Sequence, residues 1–309
     1  MAHSLRDLRR KMKAIKSTRQ VTKAMELVAA SKMRRAVSQA VALRQYAGLS
    51  WEILERIAGQ ADTKAFARHP SLQERPVKKV LAVLYTSDRG LCGSLHAQLF
   101  RLTSEYLKQL KGISTFESID FVAVGRKGQQ YLARSGQKVV AAFPALSNHP
   151  TFRDVLPIKK LVTDRFKEGA YDHVVLIYAD FHSALLQEPT IKVLLPFSPS
   201  ALKDMLASLV ETRRVAPEKA MKDASEYTFE PSPAAVLDTI IPQLTEVQVF
   251  QAVLEAAASE HSARMVAMRN ASDNATDFLG DLTLTYNRSR QEKITAELAE
   301  LSASAAALS

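Results

Sequence analysis

From Val247 to the C-terminus the chain carries no proline and a single glycine, Gly280. Few folds are open to so long a stretch without a breaker, and the placement of its apolar and small residues selects a helix. Val247, Phe250, Leu254, Ala257, His261, Met265, Met268, Ser272, Ala275, Leu279, Leu282 and Tyr286 follow one another in steps of three and four, apart from one extra step of four. That is a coiled-coil period with a local unwinding. A continuous helix from Pro233 to Leu301 would be about 100 Å long at 1.5 Å per residue. No single compact domain covers such a helix, so its seam needs a second helix beside it.

The other end of the chain supplies one. Residues 3–59 hold no proline, and their only glycines are Gly48 and Gly59. Leu5, Leu8, Met12 and Ile15 keep a 3-4-3 rhythm, and apolar positions continue through Val21, Met25, Val28, Met33, Val37 and Val41. The spacing predicts a helix far longer than the usual three to four turns. Each terminal seam is the other's nearest available partner, and antiparallel pairing is the economical solution. Much of the C-terminal seam is Ala, Ser, Thr or Met where a dimeric zipper would carry Leu and Ile. Small residues let two helices approach closely and make a slim rod.

Between the ends the period changes. Residues 77–198 alternate β-rich runs (VKKVLAVLYTS, SIDFVAVG, QKVVAAF, YDHVVLIYADF, EPTIKVLLPF) with helical ones. Most of the strands are apolar throughout, as in parallel strands covered on both faces. The short HSALLQEP connection predicts that the last two strands form an antiparallel hairpin at one edge. The expected architecture is α/β plus long helices: an antiparallel coiled coil of the N- and C-terminal helices with a flanking Rossmann-like α/β domain. The expected segments are 1–60 (N-terminal coiled-coil helix), 77–198 (α/β domain), 199–231 (connecting segment and foot) and 232–309 (C-terminal coiled-coil helix).

The net charge of +10 and pI of about 9.6 favour acidic partners. The charge is concentrated at the start, where Arg6, Arg9, Arg10, Lys11, Lys13, Lys16, Arg19, Lys23, Lys32, Arg34 and Arg35 face only Asp7 and Glu26. One cysteine, Cys92, excludes an internal disulfide and a multi-thiolate zinc site. No run approaches the roughly 18 apolar residues of a membrane span. The N-terminus has no apolar core of the kind a secretory signal needs.

Catalytic motifs are missing from the pattern. TSDRGLCGS (86–94) sits between a strand and a helix, where phosphate loops lie, but lacks both glycine spacings of nucleotide loops and reads as a tight turn. No sequence feature pairs Cys92 with a base. The histidines at 3, 69, 96, 149, 173, 182 and 261 show no metal-binding spacing. Asp172 and Asp180, near strand ends, read as structural. A nucleic-acid-binding coiled-coil protein and an α/β enzyme with helical arms are the alternatives. The first predicts strongly salt-dependent DNA binding, the second a specific small-molecule ligand in 77–198.

Four stretches carry a resemblance: STRQVTKAMELVAASKMRRA (17–36), YTSDRGLCGS (85–94), FEPSP (229–233) and EAAASEHSARMVAMRNASDNATDFLGDLTLTYNRSRQEKITAELAE (255–300). Together they resemble the gamma subunit of F-type ATP synthase, bacterial type. The resemblance implies a central rotor shaft without a catalytic site or cofactor of its own. Its partners would be three alpha and three beta subunits, an epsilon subunit and the membrane c-ring. It implies peripheral placement at the cytoplasmic face of the bacterial inner membrane, with no nucleic acid and no direct membrane insertion. Matched onto the family motifs, Lys23, Met25 and Arg264 contact alpha and beta. Arg290 and Gln291 match a patch that bonds a beta loop, and Tyr227 and Glu230 lie in the foot near the ring. The ending LSASAAALS departs from the Val-, Ile- and Gly-richer ending usual in the family. A single cysteine also leaves no pair for the thiol switch of chloroplast members.

Overall fold

The structure, a computed structural model, describes residues 4–60, 71–73, 75–144, 146, 150–197, 230 and 232–308. Among the described residues ten elements follow in order: α1 (Leu5–Gln60), β1 (Lys79–Tyr85), α2 (Leu95–Lys111), β2 (Ser118–Val124), α3 (Arg126–Arg134), β3 (Val139–Phe143), α4 (Phe152–Lys167), β4 (His173–Phe181), β5 (Gln187–Leu195) and α5 (Pro233–Leu308). The chain divides into two compact units, residues 31–263 and residues 1–30 with 264–309.

The first unit is built on a five-stranded sheet of order β3-β2-β1-β4-β5. The first four strands are parallel, while β5 pairs antiparallel with β4 at the edge, as the short connection predicts. Alternate residues of each buried strand enter opposite cores. On one face Leu81, Val83, Val122 and Leu176 meet α4 through Val155, Ile158, Val162 and Phe166. On the other, Ala82, Leu84, Phe121 and Ile177 meet Leu99 of α2 and Leu132 of α3. The start of α5 belongs to the first core, contributing Ile241, Leu244, Val249, Ala252 and Val253. The expected segment 232–309 is a coiled-coil helix throughout. In the structure its start also serves as a covering helix of the sheet.

Side-chain carboxylates fix the strands. Asp172 Oδ2 accepts the Lys79 backbone N–H at 3.0 Å, and Asp180 Oδ2 accepts Lys192 Nζ at 3.2 Å across the β4–β5 pair. Both acids are therefore structural. Burial disfavours the Asp180 charge, yet the Lys192 ammonium with the Glu255 and His182 interactions holds its pKa below the ordinary carboxylate value. At the β2–α3 turn, Gly125 has φ +89°, and a Cβ there would collide with the Thr86 carbonyl. Glycine is required at that turn.

In the second unit α1 starts at Ser4, whose Oγ accepts the Arg6 N–H at 3.3 Å as an N-cap. Residues 5–30 pair with 264–289 in antiparallel fashion. Arg9 meets Tyr286, Thr22 meets Ser272 and Glu26 meets Arg269, so numbers rise on one helix as they fall on the other.

Candidate subunit-contact surface

A helix pair exposes most of its residues, so its function resides in what the seam hides and what the outside presents. On α5 the seam runs as the spacing predicts. Met268, Ser272 and Ala275 are buried, and Leu279, Leu282 and Tyr286 are half-buried. On α1 the same holds for Leu5, Leu8, Met12 and Ile15. Beyond Ile15 the expected apolar line follows the seam only in part: Met25, Met33 and Val37 stay half-buried. Val21, Val28 and Val41 are each half or more exposed, while Thr22, Glu26 and Ala29 turn inward. Ala29 and the polar Thr22 and Glu26 occupy the contact, and these valines lie outside it. A rule that sends the largest apolar residues inward cannot detect this.

The inward polar residues find partners. The Thr22 and Ser272 hydroxyl oxygens lie 2.7 Å apart. Glu26 receives Lys23 Nζ at 2.9 Å from its own helix, and Arg269 Nε lies 3.9 Å from it across the pair. Nearer the chain start, Arg9 Nε donates to the Tyr286 hydroxyl at 2.8 Å and its guanidinium lies 5.3 Å from the ring centroid. The remaining basic residues of the first turns, Arg6, Arg10, Lys11, Lys13 and Lys16, are exposed. Large apolar groups share that outer surface: Leu27 and Phe278 are each 62% exposed, and Leu284 is 71% exposed.

Past Ser289 the pairing ends. Every described side chain from Arg290 to Ser304 is exposed, although α5 continues to Leu308. Ile294, Leu298 and Leu301 recur at steps of four and three and so line one face of that helix. The pairs Arg288–Glu292 and Lys293–Glu297 support it locally at i,i+4 spacing.

The residues expected to touch partners scatter over this surface and do not converge on a cleft. Lys23, Arg290 and Gln291 are exposed, and Met25 and Arg264 are half-buried. Glu230 is exposed, and Tyr227 lies outside the described residues. Lys23 forms the intrahelical pair that its spacing from Glu26 permits.

In the sheet-based unit, sequence reasoning missed a partner for Cys92. Its Sγ lies 3.2 Å from His96 Nδ1, and His96 Nε2 lies 2.8 Å from Ser87 Oγ. The available signal was the i,i+4 spacing of Cys92 and His96. Cys92 is 1% exposed, and Ser87 also donates to the Arg89 carbonyl at 2.6 Å, so these contacts close the β1–α2 turn. Among the described residues no group of three or more His, Cys, Asp or Glu could hold a metal ion. Among them, too, no helix is long and apolar enough to cross a membrane.

The ATP synthase family model matches residues 4–308. The chain is 41% identical over 306 residues to the ATP synthase gamma chain of Roseiflexus sp. (strain RS-1), covering 99% of this chain and 98% of that one. The chain belongs to the ATP synthase gamma-chain family. The gamma chain of Herpetosiphon aurantiacus is 40% identical over 311 residues, 99% of each chain. Among solved structures, a chain of the central stalk/c-ring of Tetrahymena thermophila mitochondrial ATP synthase is 27% identical with a TM-score of 0.58, covering 82% of this chain and 99% of that one. The fold is also that of a chain in the rotor of the Euglena gracilis mitochondrial enzyme, with a TM-score of 0.57 at 20% identity over 94% of this chain and 98% of that one. The gamma-chain family thus accounts for both terminal helices and the sheet between them.

Proposed function

We propose that this chain is the central rotor shaft of an F-type ATP synthase. It couples proton-driven rotation of the membrane c-ring to ATP synthesis or hydrolysis at catalytic sites on the alpha and beta subunits. The observation that carries this reading is the end of α5, where residues 290–304 form an exposed helix with an apolar stripe at Ile294, Leu298 and Leu301. Such a helix calls for an enclosing sleeve, and a ring of three alpha and three beta subunits would provide one. In this reading the chain has no catalytic site and binds no cofactor, and it acts by presenting different faces to the three beta subunits as it turns. Each orientation biases a site towards a different conformation, a population shift driven by rotation. A proton crossing 100 mV releases about 2.3 kcal/mol, whereas one exposed ion pair contributes about 0–1 kcal/mol. Torque is therefore spread over many contacts.

Lys23, Met25 and Arg264 take the contacts with alpha and beta, helped by the basic first turns of α1. Arg290 and Gln291, exposed where the pairing ends, bond a beta loop. Tyr227 and Glu230 stand at the foot by the c-ring, with an epsilon subunit as a further partner. The particle sits peripherally on the cytoplasmic face of the bacterial inner membrane.

Mixing the chain with its own alpha and beta subunits tests the proposal. The expected result is a particle of three alpha, three beta and one copy of this chain, with ATPase activity that turns a probe attached to the sheet-based unit. Failure to co-assemble, or ATPase activity without rotation, overturns it.

A further inference from the structure

The seam between residues 5–30 and 264–289 poses a question of register. Ala29 and Ala275 are small seam residues, and apolar seam contacts specify alignment less sharply than a polar residue at a seam position. Against this background one polar layer is buried, whereas the cross-helix polar contact Arg9–Tyr286 is exposed. Thr22, Glu26 and Ser272 are buried polar residues, and each has a partner on the opposite helix.

We propose that the Thr22–Ser272 hydroxyl pair and the Glu26–Arg269 ion pair form a register lock, which sets the axial alignment of the two helices at a cost in stability. The hydroxyls form a relay. Thr22 Oγ1 is 3.1 Å from the Arg19 carbonyl and Ser272 Oγ is 2.9 Å from the Met268 carbonyl, so one hydroxyl donates back to its own helix while the other donates across. A slide of one heptad in one direction sets Thr22 against Leu279 and Ser272 against Ala29. In the other direction it sets Thr22 against Met265 and Ser272 against Ile15. Either slide removes the cross-helix hydroxyl bond and separates Arg269 from Glu26, leaving a buried carboxylate with Lys23 alone. Apolar partners such as Leu8, Met12 and Leu282 impose no comparable penalty. A polar residue at a seam position that fixes alignment is the best-attested role for such groups.

The test uses cysteine pairs in the full-length chain, with cross-links mapped by peptide analysis. Ile15 lies one heptad before Thr22 and Leu279 one heptad after Ser272, so I15C with L279C reports the observed register. M12C with S289C reports the alignment one heptad away and leaves the Arg9–Tyr286 contact in place. With the layer intact only the first pair should cross-link. With Thr22→Val, Glu26→Leu and Ser272→Ala together, the second pair should gain severalfold in yield while helix content and melting temperature hold or rise. Cross-linking confined to the first pair in that variant overturns the lock. So does loss of helix content, because the layer would then be supplying stability and not specifying alignment. The swap Thr22→Ser with Ser272→Thr keeps both hydroxyls and should behave as the parent. If the swap slides, the proposal also fails.

Discussion

Leu244, Val249 and Val253 are almost wholly covered by neighbours, whereas Ile294, Leu298 and Leu301 on the same helix stand open to solvent. The side chains are alike, and the surroundings differ. Residues 241–262 of α5 lie in a unit where sheet and helices take more than one side of the helix. Even Glu255, Ser259, Glu260, His261 and Ser262 are buried there. Residues 264–289 hide only a stripe, and 290–304 hide nothing among the described side chains. Helical form alone therefore says little about stability. What a residue contributes depends on how many neighbours enclose it.

Truncations along α5 put that gradient to the test. Leu244→Ala should cost the most, about 2–5 kcal/mol in denaturant unfolding, because it leaves a cavity in a closed core. Leu279→Ala, half-buried in a two-helix seam, should cost about 1 kcal/mol. Leu298→Ala should stay within about 0.5 kcal/mol of the parent in the isolated chain, yet weaken assembly with alpha and beta. If Leu298→Ala destabilises the isolated chain as much as Leu244→Ala, the gradient is wrong. A smaller effect, confined to acid, concerns the sheet-based unit alone. The depressed Asp180 pKa gives stability that is full above the ordinary carboxylate value near 3.8 and is lost as pH falls through the lower folded value. Lys192→Met should flatten that acid dependence in thermal melts between pH 5 and about 2, and an unchanged slope would remove Lys192 as its cause. The smallest effect belongs to Lys23→Ala, about 0.2–0.5 kcal/mol for an i,i+3 pair. It should shrink further in high salt, since Lys23 is 57% exposed.

Much of this architecture can be read in the residues. The change of period near residue 77, the apolar strands and the short HSALLQEP link led to the mixed sheet and its antiparallel edge. The three-four spacing from Met268 to Tyr286 located the seam. Reading failed where size and burial part company. Val21 and Val28 point out while Thr22, Glu26 and Ala29 point in, and the inward polar pair finds partners across the seam that no hydrophobicity rule foresees. It failed again at Glu255, whose burial arises from elements distant in sequence; Tyr178 donates to it at 3.0 Å. The proposed contact residues rest on family motifs alone. Lys23, Arg290 and Gln291 are exposed polar residues like many others, and no local pattern distinguishes a side chain awaiting a partner from one merely solvated.

The uncovered end of α5 has a consequence for the cell that makes this chain. Until it is enclosed, a lone helix with a greasy edge is marginal in water and offers proteases their first cut and stray chains a place to stick. Synthesis out of step with the enclosing subunits should therefore show first as clipping within those last turns, well before the sheet is touched.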